Sequence, residues 1–219
     1  MSDVLTKPLT IDLVADVVCP YCYLGWRRLR QALSRRPGVT AKIVWRPFQL
    51  NPDLPAEGVD QAKHMARIIS DPGRLKAAHD NLTQQGAPVG ATFNFDKIKL
   101  EPNTNGAHRV ILWAADEGRQ DEAIEAIEAM FTAHFSEGRF IADPEVLADV
   151  AAQVGLDRAA VLARLKAGEG EEMVRQSHDM AVRGGVTGVP CTIFDSRFAL
   201  VGAESTDRFI QALDKVTEA

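Results

Sequence analysis

The sequence predicts an α/β protein in which a block of helices interrupts a small sheet. Three observations support this fold class: apolar runs typical of strands lie near both ends of the 219-residue chain, helical periodicity fills its middle, and Gly188-Val189-Pro190 leads back into strands. The predicted order is strand, helix, strand, helical block, strand, strand, helix. Without the helical block these elements form a four-stranded sheet with helices, whose first two strands are parallel.

A Cys-x-x-Cys motif lies where the first strand meets the first helix. The apolar run from Leu9 through Val18 predicts the strand, and helical spacing of apolar residues follows from Trp26 to Leu33. Cys19 is therefore expected at the helix cap and Cys22 one turn into the helix. The unpaired amides and the dipole of a helix N-terminus stabilise a thiolate, and Pro20 suits the first turn because its missing N–H costs nothing there.

The middle of the chain is predicted to form a strand followed by several helices. Alternation between Ala41 and Trp45 predicts a second strand that ends at Pro47. Two weaker helices are predicted over roughly 60–71 and 73–85, followed by a loop from Gly86 to Pro102. Apolar stripes predict five further helices, around 107–114, 124–134, 146–154, 161–165 and 173–182.

The last part of the chain returns to sheet. Thr192–Phe194 and Phe198–Val201 flank Asp195-Ser196-Arg197, a short connection typical of an antiparallel hairpin, and a final helix begins at about Ser205. We therefore predict a discontinuous domain over residues 1–55 and 184–219 and a helical insertion domain over residues 56–183.

Composition argues against several partners. A formal net charge of −5 and an isoelectric point near 5.6 provide no general attraction to nucleic acid or to anionic membranes. Residues 1–10 lack the basic and apolar regions of a signal peptide, so we expect a cytoplasmic protein. Stable disulfides are rare in that compartment, which favours a redox-cycling pair. Three cysteines without nearby histidine spacing do not indicate a metal site.

Five separated motifs resemble, in type and order, those of the FrnE-like DsbA family within the thioredoxin superfamily. The first is Ala-Asp-x-x-Cys-Pro-aromatic-Cys and the last is Gly-Val-Thr-Gly-Val-Pro, and a helical insertion of this size is similar to that of the DsbA branch. The motifs lie at Ala15–Cys22, Pro47–Pro52, Pro102–Thr104 with Ala107–Arg109, Gly138–Ile141 and Gly185–Pro190. Together they cover nearly the whole chain.

This resemblance implies a thioredoxin-like, DsbA-like fold with a large all-helical insertion between the second and third strands. It also implies a thiol:disulfide oxidoreductase or isomerase with no tightly bound cofactor, in which Cys19 and Cys22 form a redox-active disulfide. Cys19 is then the exposed nucleophile and Cys22 the buried resolving thiol. Pro190 is expected in the cis form beside the cysteine pair, and the backbone of Val189 is expected to pair with an extended substrate or with glutathione.

The expected partner is a protein or a small molecule that carries a thiol or a disulfide, and a second copy of the chain is a candidate partner. Pro20 and Tyr21 would contact the substrate, and Tyr21 would tune the redox potential of the pair. His108 and Asn103 belong to a segment that the resemblance places beside the cleft, which makes both candidates for contact with the substrate. The alternative for His108 is a structural or solvated histidine. Ser205 opens the last helix, where it either receives the γ-glutamyl end of glutathione or simply caps the helix.

Two further residues have competing interpretations. Asp16, three residues before Cys19, is either a proton relay for Cys22 or an ordinary polar residue at the end of a strand. Cys191 is either a third redox-active thiol or a small buried hydrophobic residue, and side-chain alternation along the strand favours the second interpretation.

Two other functions compete with disulfide exchange. One is a glutathione-dependent isomerase or transferase of a small aromatic or polyketide-like substrate. This hypothesis follows from the similarity to 2-hydroxychromene-2-carboxylate isomerases and kappa-class glutathione transferases, which typically have serine where Cys19 stands. The other is a redox-switched holdase chaperone, in which the helical block binds exposed apolar segments.

Overall fold

The computed structural model describes residues 8–116 and 120–217. Its strands are β1 (Leu9–Ala15), β2 (Ala41–Pro47), β3 (Val59–Asp60), β4 (Leu100–Glu101), β5 (Cys191–Phe194) and β6 (Phe198–Val201). Its helices are α1 (Pro20–Ser34), α2 (Gln61–Ile68), α3 (Pro72–Gly86), α4 (Asn105–Asp116), α5 (Gln120–Phe131), α6 (Pro144–Gln153), α7 (Arg158–Lys166), α8 (Glu171–Arg183) and α9 (Thr206–Thr217).

The main sheet has the strand order β2-β1-β5-β6, which confirms the predicted α/β fold class. β1 and β2 are parallel, as expected, whereas β5 is antiparallel to both β1 and β6. Asp195 and Ser196, in the connection between β5 and β6, have φ angles of +48° and +56°. Aspartate tolerates this left-handed conformation, and the Asp195 side chain accepts a hydrogen bond from the amide of Thr10 at 2.9 Å.

The predicted loop over 86–102 contains more structure than its glycines and prolines indicated. It holds two short 3₁₀ turns, Ala87–Val89 and Phe95–Lys97, and it ends in β4, which pairs with β3 as a separate two-stranded sheet. Two-residue strands are too short to show alternation, so the sequence pattern does not reveal them. The first strand also ends at Ala15, three residues earlier than predicted.

The helical insertion packs directly on the main sheet. α4, α5 and α8 contact β2, and α1 contacts both α3 and the terminal helix α9. The limits of the two predicted domains, 56 and 183, stay a prediction. Within the ranges described above, no helix combines the length and the apolar character that crossing a membrane requires.

Glu128 on α5 joins the insertion to α1. Its carboxylate accepts a hydrogen bond from the indole N–H of Trp26 at 2.9 Å and forms an ion pair with Arg27 at 2.6 Å. The Glu128 side chain is 13% exposed, and Trp26 is completely buried. A neighbouring carboxylate on the same helix, Glu125, forms a longer ion pair and is 55% exposed.

We therefore expect Glu128→Ala to lower the free energy of unfolding by about 2–3 kcal/mol, because the buried indole N–H of Trp26 loses its acceptor. Glu125→Ala is the matched control, and we expect it to have almost no effect since an exposed ion pair contributes little. Urea unfolding of both variants would measure this. Equal destabilisation of the two variants would contradict the assigned role of Glu128.

Candidate functional site

Cys19 begins α1 as its N-cap residue. Its backbone is extended (φ −83°, ψ 114°), Pro20 occupies the first helical turn, and the Cys19 carbonyl accepts hydrogen bonds from the amides of Cys22 and Tyr23 at 2.9 and 3.2 Å. The Cys19 side chain makes no capping hydrogen bond to the helix. Its sulfur lies at the helix N-terminus, where the sequence pattern placed it.

The predicted exposure of Cys19 was wrong. Cys19 is only 5% exposed, the Val189 carbonyl lies 3.8 Å from its sulfur, and the residue lines a pocket. Cys22 is completely buried, as predicted. Tyr21 is 49% exposed between them, and Pro20 is half-buried. The structure holds all three cysteines of the chain as free thiols.

The peptide bond between Val189 and Pro190 is cis, and this segment lies against α1. A side chain at Gly25 would place its Cβ only 3.2 Å from Cγ of Pro190, so the proline ring would have to shift by a few tenths of an ångström to admit it. The amide of Gly202 donates to the Pro190 carbonyl at 2.8 Å and anchors the segment from the opposite side. The sequence pattern of α1 did not single out Gly25.

Cys22 is surrounded by groups that disfavour its ionisation. Burial raises the pKa of the Cys22 thiol well above its ordinary value, the neighbouring Cys19 thiol adds to this increase, and the Asp16 carboxylate adds a further contribution. A hydrogen bond with the Asp16 backbone opposes the increase in pKa. Cys22 therefore remains a protonated thiol until a base accepts its proton.

Asp16 is completely buried beside this thiol. Its Oδ2 accepts a hydrogen bond from the amide of Leu50 at 2.7 Å, and its Oδ1 lies 3.2 Å from Nε2 of His108, the separation of an ion pair without the alignment of a hydrogen bond. The indole N–H of Trp45 donates to His108 Nδ1 at 3.0 Å. Because Nδ1 accepts, the proton of a neutral His108 lies on Nε2 and faces Asp16.

The expectation that His108 faces a substrate was therefore wrong. His108 is completely buried, and it packs between β2 and the cysteine-bearing turn. Its place on α4, directly next to the apolar stripe that begins at Ala107, could have indicated burial. The pattern could not show which polar group lies opposite.

Asn103 and Ser205 make contacts within the protein. Asn103 donates to the carbonyls of Leu54 and Pro52 at 2.7 and 3.2 Å, and its Oδ1 accepts from the Asn105 amide at 3.0 Å. Asn103 thus attaches the loop after β2 to the start of α4. Ser205 Oγ accepts from the amide of Arg208 at 3.2 Å, which confirms the helix-capping interpretation. Substrate contacts by these two residues stay a prediction.

Cys191 is 6% exposed and packs against Val14 and Phe48. Burial raises the pKa of its thiol. These surroundings agree with the interpretation of Cys191 as a small buried hydrophobic residue.

A pocket of about 420 Å³ extends from Cys19 into the helical insertion. Most of its lining is apolar, and its polar lining includes a carboxylate that sequence analysis missed, Glu101 on β4. Burial raises the pKa of Glu101 to about 7, with a further contribution from the charge of Asp16. Burial lowers the pKa of His134, in the same lining, to about 4, against the opposing effect of Asp16. The only signal for Glu101 is its position just before the Pro102–Thr104 motif.

Comparisons with known proteins agree with this geometry. Residues 10–214 match the family model for the DSBA-like thioredoxin domain. The uncharacterised protein YwbO of Bacillus subtilis (strain 168) is 26% identical over 204 residues, which cover 93% of this chain and 94% of YwbO.

Two solved structures share the fold. A probable DsbA oxidoreductase from Streptomyces coelicolor is 28% identical with a TM-score of 0.85, and the match covers 96% of this chain and 90% of that protein. A 2-hydroxychromene-2-carboxylate isomerase is 18% identical with a TM-score of 0.67, and the match covers 95% of both chains.

The high pKa of Glu101 predicts a pH-dependent stability. The unfolded carboxyl ionises near pH 4.5 and the folded one near pH 7, so the contribution of Glu101 to stability is fully present below pH 4.5 and is lost as the pH rises through 7. We expect Glu101→Gln to be more stable than the wild type by up to about 3 kcal/mol at pH 8 and nearly equal to it at pH 5.

Urea unfolding at both pH values would measure this difference. Glu57→Gln, at an exposed position, provides a control for the loss of one carboxylate. A stability gap between Glu101→Gln and the wild type that did not change with pH would contradict the buried, ionisable carboxyl.

Proposed function

Because the chain belongs to the DSBA-like thioredoxin domain family, we propose that it catalyses thiol:disulfide exchange, with Cys19 as the attacking thiol and Cys22 as the resolving thiol. One observation carries this proposal: Cys19 caps α1 beside the cis Val189–Pro190 segment, while Cys22 lies buried one turn behind it. The reactive sulfur is thus held next to a backbone carbonyl, and the second sulfur is shielded from solvent.

The chemistry needs no group beyond the two thiols and a disulfide substrate. The Cys19 thiolate attacks one substrate sulfur, the substrate S–S bond breaks, and the other sulfur leaves as a thiolate while a mixed disulfide forms. Cys22 then loses its proton and attacks the Cys19 sulfur, which releases the second substrate thiol and leaves a Cys19–Cys22 disulfide. The reverse sequence oxidises a dithiol, and attack followed by release at another sulfur rearranges disulfides.

Asp16 is the acceptor that we assign to the proton of Cys22. The charge of its carboxylate influences the Cys22 thiol, and both groups are completely buried, so water does not compete for the proton. The Leu50 amide holds one carboxylate oxygen by a hydrogen bond, and His108 Nε2 lies 3.2 Å from the other. Asp16 is thus a proton acceptor in the resolving step, and His108 is its positioning residue.

We expect Cys19→Ser to abolish exchange, because the attacking sulfur is lost. Cys22→Ser should still attack a disulfide but should accumulate the mixed disulfide, since nothing resolves it. The measurement is reduction of a fluorescent disulfide peptide together with mass spectrometry of the protein. Cys191→Ser is the control and should keep wild-type turnover. Undiminished exchange by Cys19→Ser would refute the proposed function.

Asp16→Asn should slow the resolving step by about 100-fold and leave the attack by Cys19 nearly unchanged. His108→Phe should slow the same step less, and His108→Gln should restore part of the rate because a glutamine amide can donate to Asp16 and accept from Trp45. Rapid-quench trapping of the mixed disulfide from pH 5 to pH 9 would separate the two steps. If Asp16→Asn changed only the rate of attack, Asp16 would have no role as the acceptor.

The pocket beside Cys19 favours a second candidate, a glutathione-dependent isomerase or transferase of a small aromatic molecule. Its volume of about 420 Å³ lies in the range of small-molecule sites, and the isomerase structure described above has the same fold. This activity would require glutathione and would survive Cys22→Ser, whereas disulfide exchange with turnover would not. A cytoplasmic location and pairing with a second copy of the chain stay predictions.

A further inference from the structure

The pocket beside Cys19 has walls from two parts of the chain. Cys19, Pro20 and Tyr21 form one wall, and the others come mainly from α2, α3 and the segment from Phe95 to Ile98. The apolar lining from these elements comprises Met65, Ile68, Leu75, Ala78, Leu82, Phe95 and Ile98. A cavity of about 420 Å³ with such a lining suits a compact apolar group of one or two rings.

Exposed apolar side chains mark the opening of this pocket. Tyr21 is 49% exposed, Leu50 is 45% exposed and Ile68 is 62% exposed, and all three line the pocket. Large apolar side chains that form one exposed patch indicate a binding surface. Here that ligand must also reach the Cys19 sulfur, because Cys19 is part of the same lining.

The charges within the pocket indicate whether its ligand is anionic or uncharged. Glu101 is buried in the lining, and the Asp16 carboxylate acts on it. Of the residues that the structure describes, those lining the pocket include no lysine or arginine. Burial lowers the pKa of each lining histidine, His64, His79 and His134, so these imidazoles are neutral at pH 7. An anion in the pocket would therefore meet the Glu101 carboxylate and no cation from the lining.

The pocket lining also contains a polar atom that could form a hydrogen bond with an uncharged ligand. His64 Nε2 is buried with no hydrogen-bond partner among the described residues, and it belongs to the pocket lining. A ring nitrogen, carbonyl or hydroxyl group of a ligand would satisfy it.

We propose that this pocket binds the uncharged aromatic part of a low-molecular-weight disulfide, with the disulfide sulfur against Cys19, and that it discriminates against disulfides bearing carboxylates. This inference rests on the proposed function, because Cys19 must attack the bound disulfide. The S–S bond of the substrate breaks, a Cys19–sulfur bond forms, and the aromatic thiolate leaves with the bonding electron pair. Glutathione disulfide carries carboxylates and is a poor occupant of this pocket.

The test compares two aromatic disulfides on a Cys22→Ser/Cys191→Ser variant, in which Cys19 is the only thiol. Dithiodipyridine is neutral, dithiobis(nitrobenzoate) carries two carboxylates, and each releases a coloured thiolate. Each second-order rate constant is divided by that for mercaptoethanol at the same pH, which removes the intrinsic reactivity of the reagent. We expect this normalised rate to be about tenfold or more higher for dithiodipyridine.

Equal normalised rates for the two reagents would overturn the inference and leave the proposed function standing. No reaction of Cys19 with either reagent would overturn both, so the two failures are distinguishable. A normalised rate that is higher for the anionic reagent would also overturn the inference.

A variant that fills the pocket tests whether the aromatic group of the reagent binds there. Ala78 on α3 lines the pocket, and we expect Ala78→Phe to lower the normalised rate with dithiodipyridine about tenfold, with little change for the anionic reagent. Ala77→Phe places the same ring at an exposed position one residue away and should behave as the unmodified background. Equal effects of the two substitutions would place the aromatic group outside the pocket.

Glu101→Gln tests the charge without filling the pocket. In the unmodified background the preference for the neutral reagent should rise as the pH increases through about 7, because Glu101 then becomes charged. Glu101→Gln should remove most of that rise, whereas Glu57→Gln should not.

The other titratable groups around this carboxyl are Asp16, Cys19, Tyr21, His64, His79 and His134. Ionisation of Cys19 cancels, since both reagents meet the same thiolate. A preference equally steep in Glu101→Gln would overturn the assigned role of this carboxylate.

Discussion

A buried carboxylate beneath the cysteine pair is the constraint on which the arrangement of this protein depends. Asp16 is completely buried, and a charge in that position without partners would cost several kcal/mol of stability. Its partners come from two other parts of the chain, the Leu50 amide in the loop after β2 and the His108 imidazole on α4. The Asp16 carboxylate therefore links the loop after β2 and α4 to the turn that carries Cys19 and Cys22.

The same carboxylate sets the electrostatics around the reactive sulfurs. Its charge adds to burial in raising the pKa of Cys22 and of Glu101. Burial is the main reason that Cys22 keeps its proton, and the charge of Asp16 makes a smaller contribution. In the proposed exchange, transfer of the Cys22 proton to Asp16 would neutralise that charge.

Local patterns predicted most of the fold, since strand alternation, helical stripes and helix caps each depend on residues a few positions apart. The same patterns placed the cysteine pair at a strand-to-helix turn. The remaining features of the site depend on contacts between distant parts of the chain. The close contact at Gly25 is with Pro190, and the buried imidazole of His108 lies opposite Asp16. The sequence pattern did not identify Glu101 because its strand has only two residues.

The wrong prediction for Cys19 shows what the insertion contributes. Cys19 is only 5% exposed, and it lines a pocket whose other lining residues include several from α2 and α3. If Cys19 attacks disulfides as proposed, the substrate sulfur reaches it beside this lining. Selection by the pocket would then act on the rate of the first attack, while the disulfide chemistry would stay with the strand-to-helix turn.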